Sequence, residues 1–328
     1  MGKKYYVGID LGGLNIKGGV VDPKGKVLSF ASIATEGQKG RDHVLDRIAA
    51  LVEVAREQAG IPPERIAGVG IGSPGPLSIK KGLIYEAPNL PGWTNLYLAA
   101  EIQKRAGYPT VLENDANAAS LAEAVAGAGK GLPCMLMLTL GTGIGGGIVL
   151  DGRVWHGADD IAAELGHVSI CHSGRRCNCG SIGCVEAYAS ATGVVKRTQE
   201  ALRAGTRSSL AKGSKNDLSE VAKEDKCRHV FQVAKQGDRL AAKIVADTIV
   251  YLAAAMASLI NTFNPDMIVL YGGMTKAGSQ LFGPLRKEVA RRCFKVGAKR
   301  CKIVRSKLGG HAGVIGSAIS AMHLLGKA

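Results

Sequence analysis

Residues 164–188 read ELGHVSICHSGRRCNCGSIGCVEAY and place Glu164, His167, Cys177, Cys179, Cys184 and Glu186 within a short span. Thiolates and a neutral imidazole are ligands for tetrahedral zinc, and one histidine with three cysteines fills all four positions, leaving none for an activated water. A site of that kind holds a segment in shape and does no bond-breaking itself. The Cys-x-Cys-x4-Cys spacing differs from that of a common zinc finger, so buried, unmetallated thiols stand as the alternative on spacing alone. Cys171 and His172 lie close enough in sequence to be further candidate ligands.

Three glycine turns form a second group: Asp10-Leu11-Gly12-Gly13, Gly141-Thr142-Gly143 and Tyr271-Gly272-Gly273. Glycine lets backbone N–H groups approach and surround an anion, and it permits the dihedral angles that aim several of them at one phosphate. Each turn directly follows a run with strand character, which sets them apart from ordinary hairpin glycines. No GxxxxGK[ST] loop is present. Gly141, Gly143 and Gly146 satisfy GxGxxG, but the chain runs on into a strand and not a helix, which argues against a Rossmann dinucleotide site.

The elements that must position these groups follow from the patterning. YYVGID, NIKGGVVD and KVLSFASIAT read as strands, and residues 42–59 as an amphipathic helix carrying Val44, Leu45, Ile48, Leu51, Val52 and Ala55 on one face. The strand IAGVGIG, a Pro/Gly loop, a helix near 95–106, the strand TVLEN and an alanine-rich helix opening at Asp115 come next. The order then begins again: CMLMLTL, a glycine turn, and IGGGIVLDGRVW repeat the arrangement of GIDLGG and NIKGGVVDPKGKV. A long apolar helix over 239–263, the strand MIVLYGG, a helix near 279–294, the strand KIVRS and a closing helix over 312–325 complete the second half. The expectation is an α/β protein of two similar α/β domains around a cleft lined by the glycine turns. Residues 1–118, completed by the C-terminal helix in 311–328, form the smaller domain; residues 119–310 form the larger, with the cysteine segment inside it.

Composition restricts the setting. A chain of 328 residues with 46% hydrophobic and 21% charged residues can bury a large core. Neither a signal peptide nor an uninterrupted apolar run of membrane-spanning length is apparent, so a cytoplasmic protein without membrane partners is expected. Cys134, Cys171, Cys227, Cys293 and Cys301 are scattered and read as reduced thiols. The net charge of +15 is dispersed, with no basic helix or interleaved aromatics, which favours general attraction for anions such as nucleotides over nucleic-acid binding.

Taken in order, GIDLGGLNIKGGVVD, GIGSPGP, NLPGW, LENDANAASLAEA, LTLGTGIGGGIV and ELGHVSI…GRRCNCGSIGCVEAYASATG resemble the ROK family (repressors, open reading frames, kinases), and within it the bacterial glucokinase-like sugar kinases. The resemblance covers nearly the whole chain, and its CxCGxxGCxE stretch is the most specific part. It implies the actin-like ATPase fold (ribonuclease H-like, hexokinase-type), ATP-dependent phosphorylation of a hexose with Mg2+, and a Zn2+ site beside the sugar. Glucose phosphorylated at its 6-hydroxyl is the expected reaction. An N-acetylhexosamine (GlcNAc or ManNAc), mannose, or polyphosphate as donor is the alternative, and a sugar-sensing protein the third reading. Repressors of this family carry a helix-turn-helix domain before the first strand, which here begins by about Tyr5, so none is expected. Relatives are commonly homodimers or homotetramers.

Residue by residue, the resemblance makes Asp115 the general base, where the residues alone leave an N-cap role for Asp115 or Asn114 open. It assigns Asn89, Asn114, Asp115, Glu164, His167 and Glu186 to the sugar; paired donors and acceptors of this kind discriminate strongly between hydroxyl patterns. His167, Cys177, Cys179 and Cys184 become zinc ligands, with the second ring nitrogen of His167 free to face the sugar. Asp10 would orient Mg2+ through water, Gly12, Gly13, Gly141, Thr142 and Gly143 would surround the phosphates, and Gly272 and Gly273 would approach the adenosine. Lys17 is a phosphate contact or a solvated charge. Two positions depart from the family pattern: Leu14 stands where threonine is usual after the first glycine pair, and Ala163 where many relatives have glycine.

Overall fold

A computed structural model describes residues 4–87 and 90–326. The first strands are β1 (Tyr5–Leu11), β2 (Asn15–Val21) and β3 (Ala31–Ala34), followed by helix α1 (Arg41–Gln58) and strand β4 (Ile66–Ser73). Short strands β5 (Leu77–Ser78), β6 (Leu83–Glu86) and β7 (Thr94–Leu96) precede α2 (Leu98–Ala106), β8 (Thr110–Asn114) and α3 (Asp115–Ala126). Then come β9 (Cys134–Leu140), β10 (Ile144–Leu150), β11 (Arg153–Val154), α4 (Glu186–Ala189), α5 (Ala191–Arg203), α6 (Lys226–Lys235) and α7 (Arg239–Phe263). The chain ends with β12 (Met267–Tyr271), α8 (Ser279–Arg292), α9 (Lys295–Arg300), β13 (Lys302–Arg305) and α10 (Ala312–Leu325).

Two sheets share one plan. The first has the order β3-β2-β1-β4-β8 and the second β11-β10-β9-β12-β13, so counted in chain order within its own sheet each runs third, second, first, fourth, fifth. Antiparallel β1/β2 and parallel β1/β4 and β4/β8 pairings bring the C-terminal ends of β1, β4 and β8 to one edge. The repeat read from the sequence is therefore a structural repeat.

Contacts divide the chain into two compact units: Met1–Leu136 with Gly147–Ala163 and Ser306–Ala328, and Met137–Gly146 with Glu164–Arg305. In the first, α1 buries Val44, Leu45, Ile48, Leu51, Val52 and Ala55 against the sheet. Helix α10 covers the other face, where Val314, Ala318 and Ala321 meet Tyr6 and Val21. It lies so close that a Cβ at Gly8 or Gly70 would run into the backbone oxygens of Val314 or Ser317. In the second unit, α7 is long and apolar enough to span a membrane by length and composition, yet 61% of its most apolar window is buried. Asp238 caps it by accepting from Ala241 N–H at 2.9 Å.

The expected strand over KVLSFASIAT is shorter, covering Ala31–Ala34. Ser29 interrupts it: its Oγ accepts from Val20 N–H at 3.0 Å and donates to Ala55 O at 2.6 Å, so a side chain serves where a strand partner would. The Pro/Gly loop after β4 proves to hold the small antiparallel sheet β5-β6-β7.

Candidate active site

The first unit carries Asp115 where β8 turns into α3. Asn114, not Asp115, is the cap: its Oδ1 accepts from Ala116 N–H at 3.0 Å and Asn117 N–H at 3.2 Å. Asp115 follows as the first helical residue, with Oδ1 accepting from Ala116 N–H at 2.8 Å, and both side chains are half-buried. The partial positive charge of the helix N-terminus favours the ionised carboxylate there. Behind this pair, Glu113 is buried, its Oε1 accepting from Asn114 N–H at 3.0 Å and its Oε2 lying 2.9 Å from His156 Nε2. Asn89 lies outside the described residues.

The turn after β1 is held from β3. Gly12 N–H donates to Asn15 O at 3.0 Å, while Thr35 donates its hydroxyl to Gly12 O at 2.6 Å and its N–H to Leu14 O at 2.8 Å. Thr35 is fully buried, so the turn is tied down at both sides of its tip. Leu14 itself is 84% exposed. Lys17 pairs across the strands with Asp10, its Nζ 3.0 Å from Oδ2, so the two residues assigned to phosphate and magnesium are partners. A single carboxylate of this kind suits Mg2+, which keeps most of its waters and takes the rest of its shell from substrate phosphates.

In the second unit, Gly141 N–H closes its turn on Gly143 O at 3.0 Å, and Gly141 O accepts from Ala191 N–H at 2.9 Å at the start of α5. Gly272 has φ +103, and a Cβ there would strike the backbone of Leu140. Glycine is required on both counts. Together these turns border a cavity of about 440 Å³, lined among others by Thr142, Phe231, Gly273, Met274 and Lys276.

The cysteine segment folds as a knuckle. Cys177 N–H donates to Ser181 O at 2.8 Å and Gly180 N–H to Cys177 O at 3.1 Å, bringing Cys179 and Cys184 back beside Cys177. One ligand atom from each of His167, Cys177, Cys179 and Cys184 lies within 4.8 Å of the others, and Cys171 and His172 are outside this group. Tetrahedral zinc with Zn–S of about 2.3 Å and Zn–N of about 2.0–2.1 Å requires edges of about 3.8 Å between sulfurs and about 3.6 Å between nitrogen and sulfur. Cys179 Sγ and Cys184 Sγ are 3.7 Å apart, and His167 Nδ1 is 3.6 Å from Cys177 Sγ. The donor set therefore suits a zinc ion in its chemistry, and these two edges match the ion's size. Burial pushes the Cys177 thiol up to about 12 and raises that of Cys184, so these sulfurs carry protons unless a cation replaces them.

Glu164 and Glu186 stand at the ends of the knuckle. His167 turns Nδ1 to the sulfurs and leaves Nε2 3.9 Å from Glu164 Oε2. Glu186, at the start of α4, is 3.7 Å from Cys177 Sγ through Oε1, and its Oε2 accepts from Ile144 N–H at 2.8 Å. A Cβ at Gly143 would collide with that carboxylate. Ala163, just before Glu164, holds φ +67, a left-handed conformation that costs an L-residue about 1–2 kcal/mol and that a glycine would adopt freely.

The family model for ROK matches residues 6–323. The chain belongs to the ROK family. It is 39% identical to a glucokinase of Thermotoga maritima over 97% of each chain. Among solved structures it is similar to a ROK hexokinase from Thermus thermophilus, with 33% identity, a TM-score of 0.86 and coverage of 99% of this chain and 100% of that one. A ROK glucokinase from Streptomyces griseus, solved with glucose and AMPPNP, is 32% identical with a TM-score of 0.76, covering 97% of this chain and 99% of that one. The fold of this ROK chain is thus the actin-like ATPase fold expected from its motifs.

Glu113, His156 and Thr35 were not among the residues singled out from the sequence. Glu113 had a weak signal, as a charged residue closing an otherwise apolar strand. His156 had none, because its partner is 43 positions away.

Proposed function

We infer that this ROK chain is an ATP-dependent hexose kinase that transfers the γ-phosphoryl group of ATP to the 6-hydroxyl of glucose. The kinship with a glucokinase over 97% of both chains carries the reading.

Asp115 is the proposed base. The sugar O6 attacks the γ-phosphorus, the bond from that phosphorus to the bridging β–γ oxygen breaks, ADP leaves, and the O6 proton passes to the Asp115 carboxylate. Because the transition state is loose, the proton can leave late, and a carboxylate held ionised at a helix N-terminus is basic enough. Support comes from the helix start, where Asn114 accepts from both Ala116 and Asn117 N–H and Asp115 shares the first of these through Oδ1 alone.

Glu164, His167 and Glu186, with Asn89 and Asn114, are the proposed sugar ligands. The glycine turns at 12–13 and 141–143 would bind phosphates through N–H groups, and Gly272 and Gly273 would border the adenosine in the cavity beside Thr142. Asp10 would hold Mg2+ through water, with Lys17 fixing its carboxylate; the metal supplies charge neutralisation on the transferring phosphates. His167, Cys177, Cys179 and Cys184 would hold Zn2+, which supplies rigidity to the segment that bears Glu164 and Glu186.

Assays over glucose, mannose, N-acetylglucosamine, N-acetylmannosamine and fructose test this reading, with coupled ADP release read when ATP is the donor and sugar phosphate formation read when polyphosphate is. Glucose with ATP should give the highest kcat/KM. No phosphorylation of any sugar by either donor would overturn the kinase reading, and a preference for an N-acetylhexosamine would move the substrate.

A further inference from the structure

Glu113 occupies the last strand position before Asn114 and Asp115, with 1% of its surface exposed. Burying a carboxylate that deeply costs several kcal/mol unless its oxygens are satisfied. Both are. Oε1 takes the Asn114 N–H at 3.0 Å; Oε2 meets His156 Nε2 at 2.9 Å, and the Ser320 hydroxyl of α10 stands 3.5 Å from the same oxygen. β8 is the edge strand of its sheet, and the Asn114 N–H finds its acceptor in a side chain, that of Glu113.

His156 is a fixed anchor. Its carbonyl accepts from Ala162 N–H at 3.1 Å, and the preceding Trp155 N–H donates to Ile148 O at 2.9 Å. An ionised carboxylate can only accept, so the hydrogen between Oε2 and the ring belongs to Nε2. The carboxylate of Glu113 is thus a bridge with an anchored imidazole at one oxygen and, at the other, the peptide that leads into the Asn114 cap and Asp115.

We propose that Glu113, clamped by His156, is a positioning residue for phosphoryl transfer, fixing the peptide from which the Asp115 carboxylate is presented. The proposal rests on the reading of Asp115 as the base. A base has to meet the sugar hydroxyl within a few tenths of an ångström, and a displacement of about 1 Å can cost about a hundredfold in rate. A residue that only stabilised the fold would not be required to act on kcat, which is where a misplaced base is felt.

The test is steady-state kinetics on the full chain with glucose and ATP, comparing Glu113→Gln, His156→Ala, His156→Gln and Asp115→Asn. Glu113→Gln keeps the size of the side chain but replaces one acceptor oxygen with a donor, so it meets both the peptide and the imidazole only if the ring moves its hydrogen from Nε2 to Nδ1. It should lower kcat by about tenfold or more, with both KM values within about threefold of the parent. His156→Ala should do the same, and His156→Gln, which returns a donor, should recover part of the loss. Should Glu113→Gln or His156→Ala fail to fold, His156→Gln decides, because its side chain sits at a 23% exposed position and returns a donor to the buried carboxylate. Inactive Asp115→Asn with unchanged kcat in Glu113→Gln or His156→Ala would overturn the positioning role alone. So would a change confined to KM. Full turnover by Asp115→Asn would overturn the base assignment, and with it the positioning role.

Discussion

Glu186 accepts a 2.8 Å hydrogen bond from the backbone N–H of Ile144, the residue that follows the glycine turn at 141–143. Its other oxygen lies 3.7 Å from Cys177 Sγ. One carboxylate therefore ties the cysteine knuckle to a turn proposed to hold phosphate, in addition to any contact it makes with sugar.

That double attachment separates two kinds of binding defect. Glu186→Gln should raise KM for glucose and also KM for ATP, each by about tenfold, as expected for weakening a charge-assisted hydrogen bond of about 1.5–3 kcal/mol. Steady-state kinetics with each substrate varied in turn would show it. A rise for glucose alone would mean that the link to Ile144 plays no part in nucleotide binding.

Zinc, bound by His167 and the three cysteines, should be found at about one ion per chain in protein purified without chelator. Stripping it should raise KM for glucose more than it lowers kcat, since the knuckle carries Glu164 and Glu186 but not Asp115, and re-adding zinc should reverse the change. Metal-free protein with unaltered glucose KM would show that the knuckle keeps its shape through packing and backbone hydrogen bonds.

Leu14 has no packing role to explain it, being 84% exposed while its carbonyl does the structural work of accepting from Thr35 N–H. Leu14→Thr should leave stability to denaturant within about 0.5 kcal/mol and raise kcat/KM for ATP by restoring a hydroxyl to the turn. An unchanged value for ATP would mean that the position does not face nucleotide.

Much of this was legible from residue order because the signals were strong and local. Helices over 239–263 and 312–325 follow from long apolar periodicity, and the cysteine spacing marks its own cluster. Strands β5, β6 and β7 were missed because two to four residues set among prolines and glycines carry no measurable period. The long-range polar pairs were invisible for a different reason. Glu113 with His156, Glu186 with Ile144, and Thr35 with Gly12 join residues 43, 42 and 23 positions apart, and only the folded chain brings them together. The same applies to the choice between Asn114 and Asp115 as helix cap, which the residues left open and the hydrogen bonds of Asn114 decide.

The most direct test of the proposed chemistry is turnover by Asp115→Asn, measured beside its glucose affinity by titration calorimetry. With Asp115 as the base, kcat for ADP release in the presence of glucose should fall by about 10²–10⁴-fold, while the glucose Kd stays within a few-fold of the parent. Turnover close to the parent value in a variant that still binds glucose would contradict it.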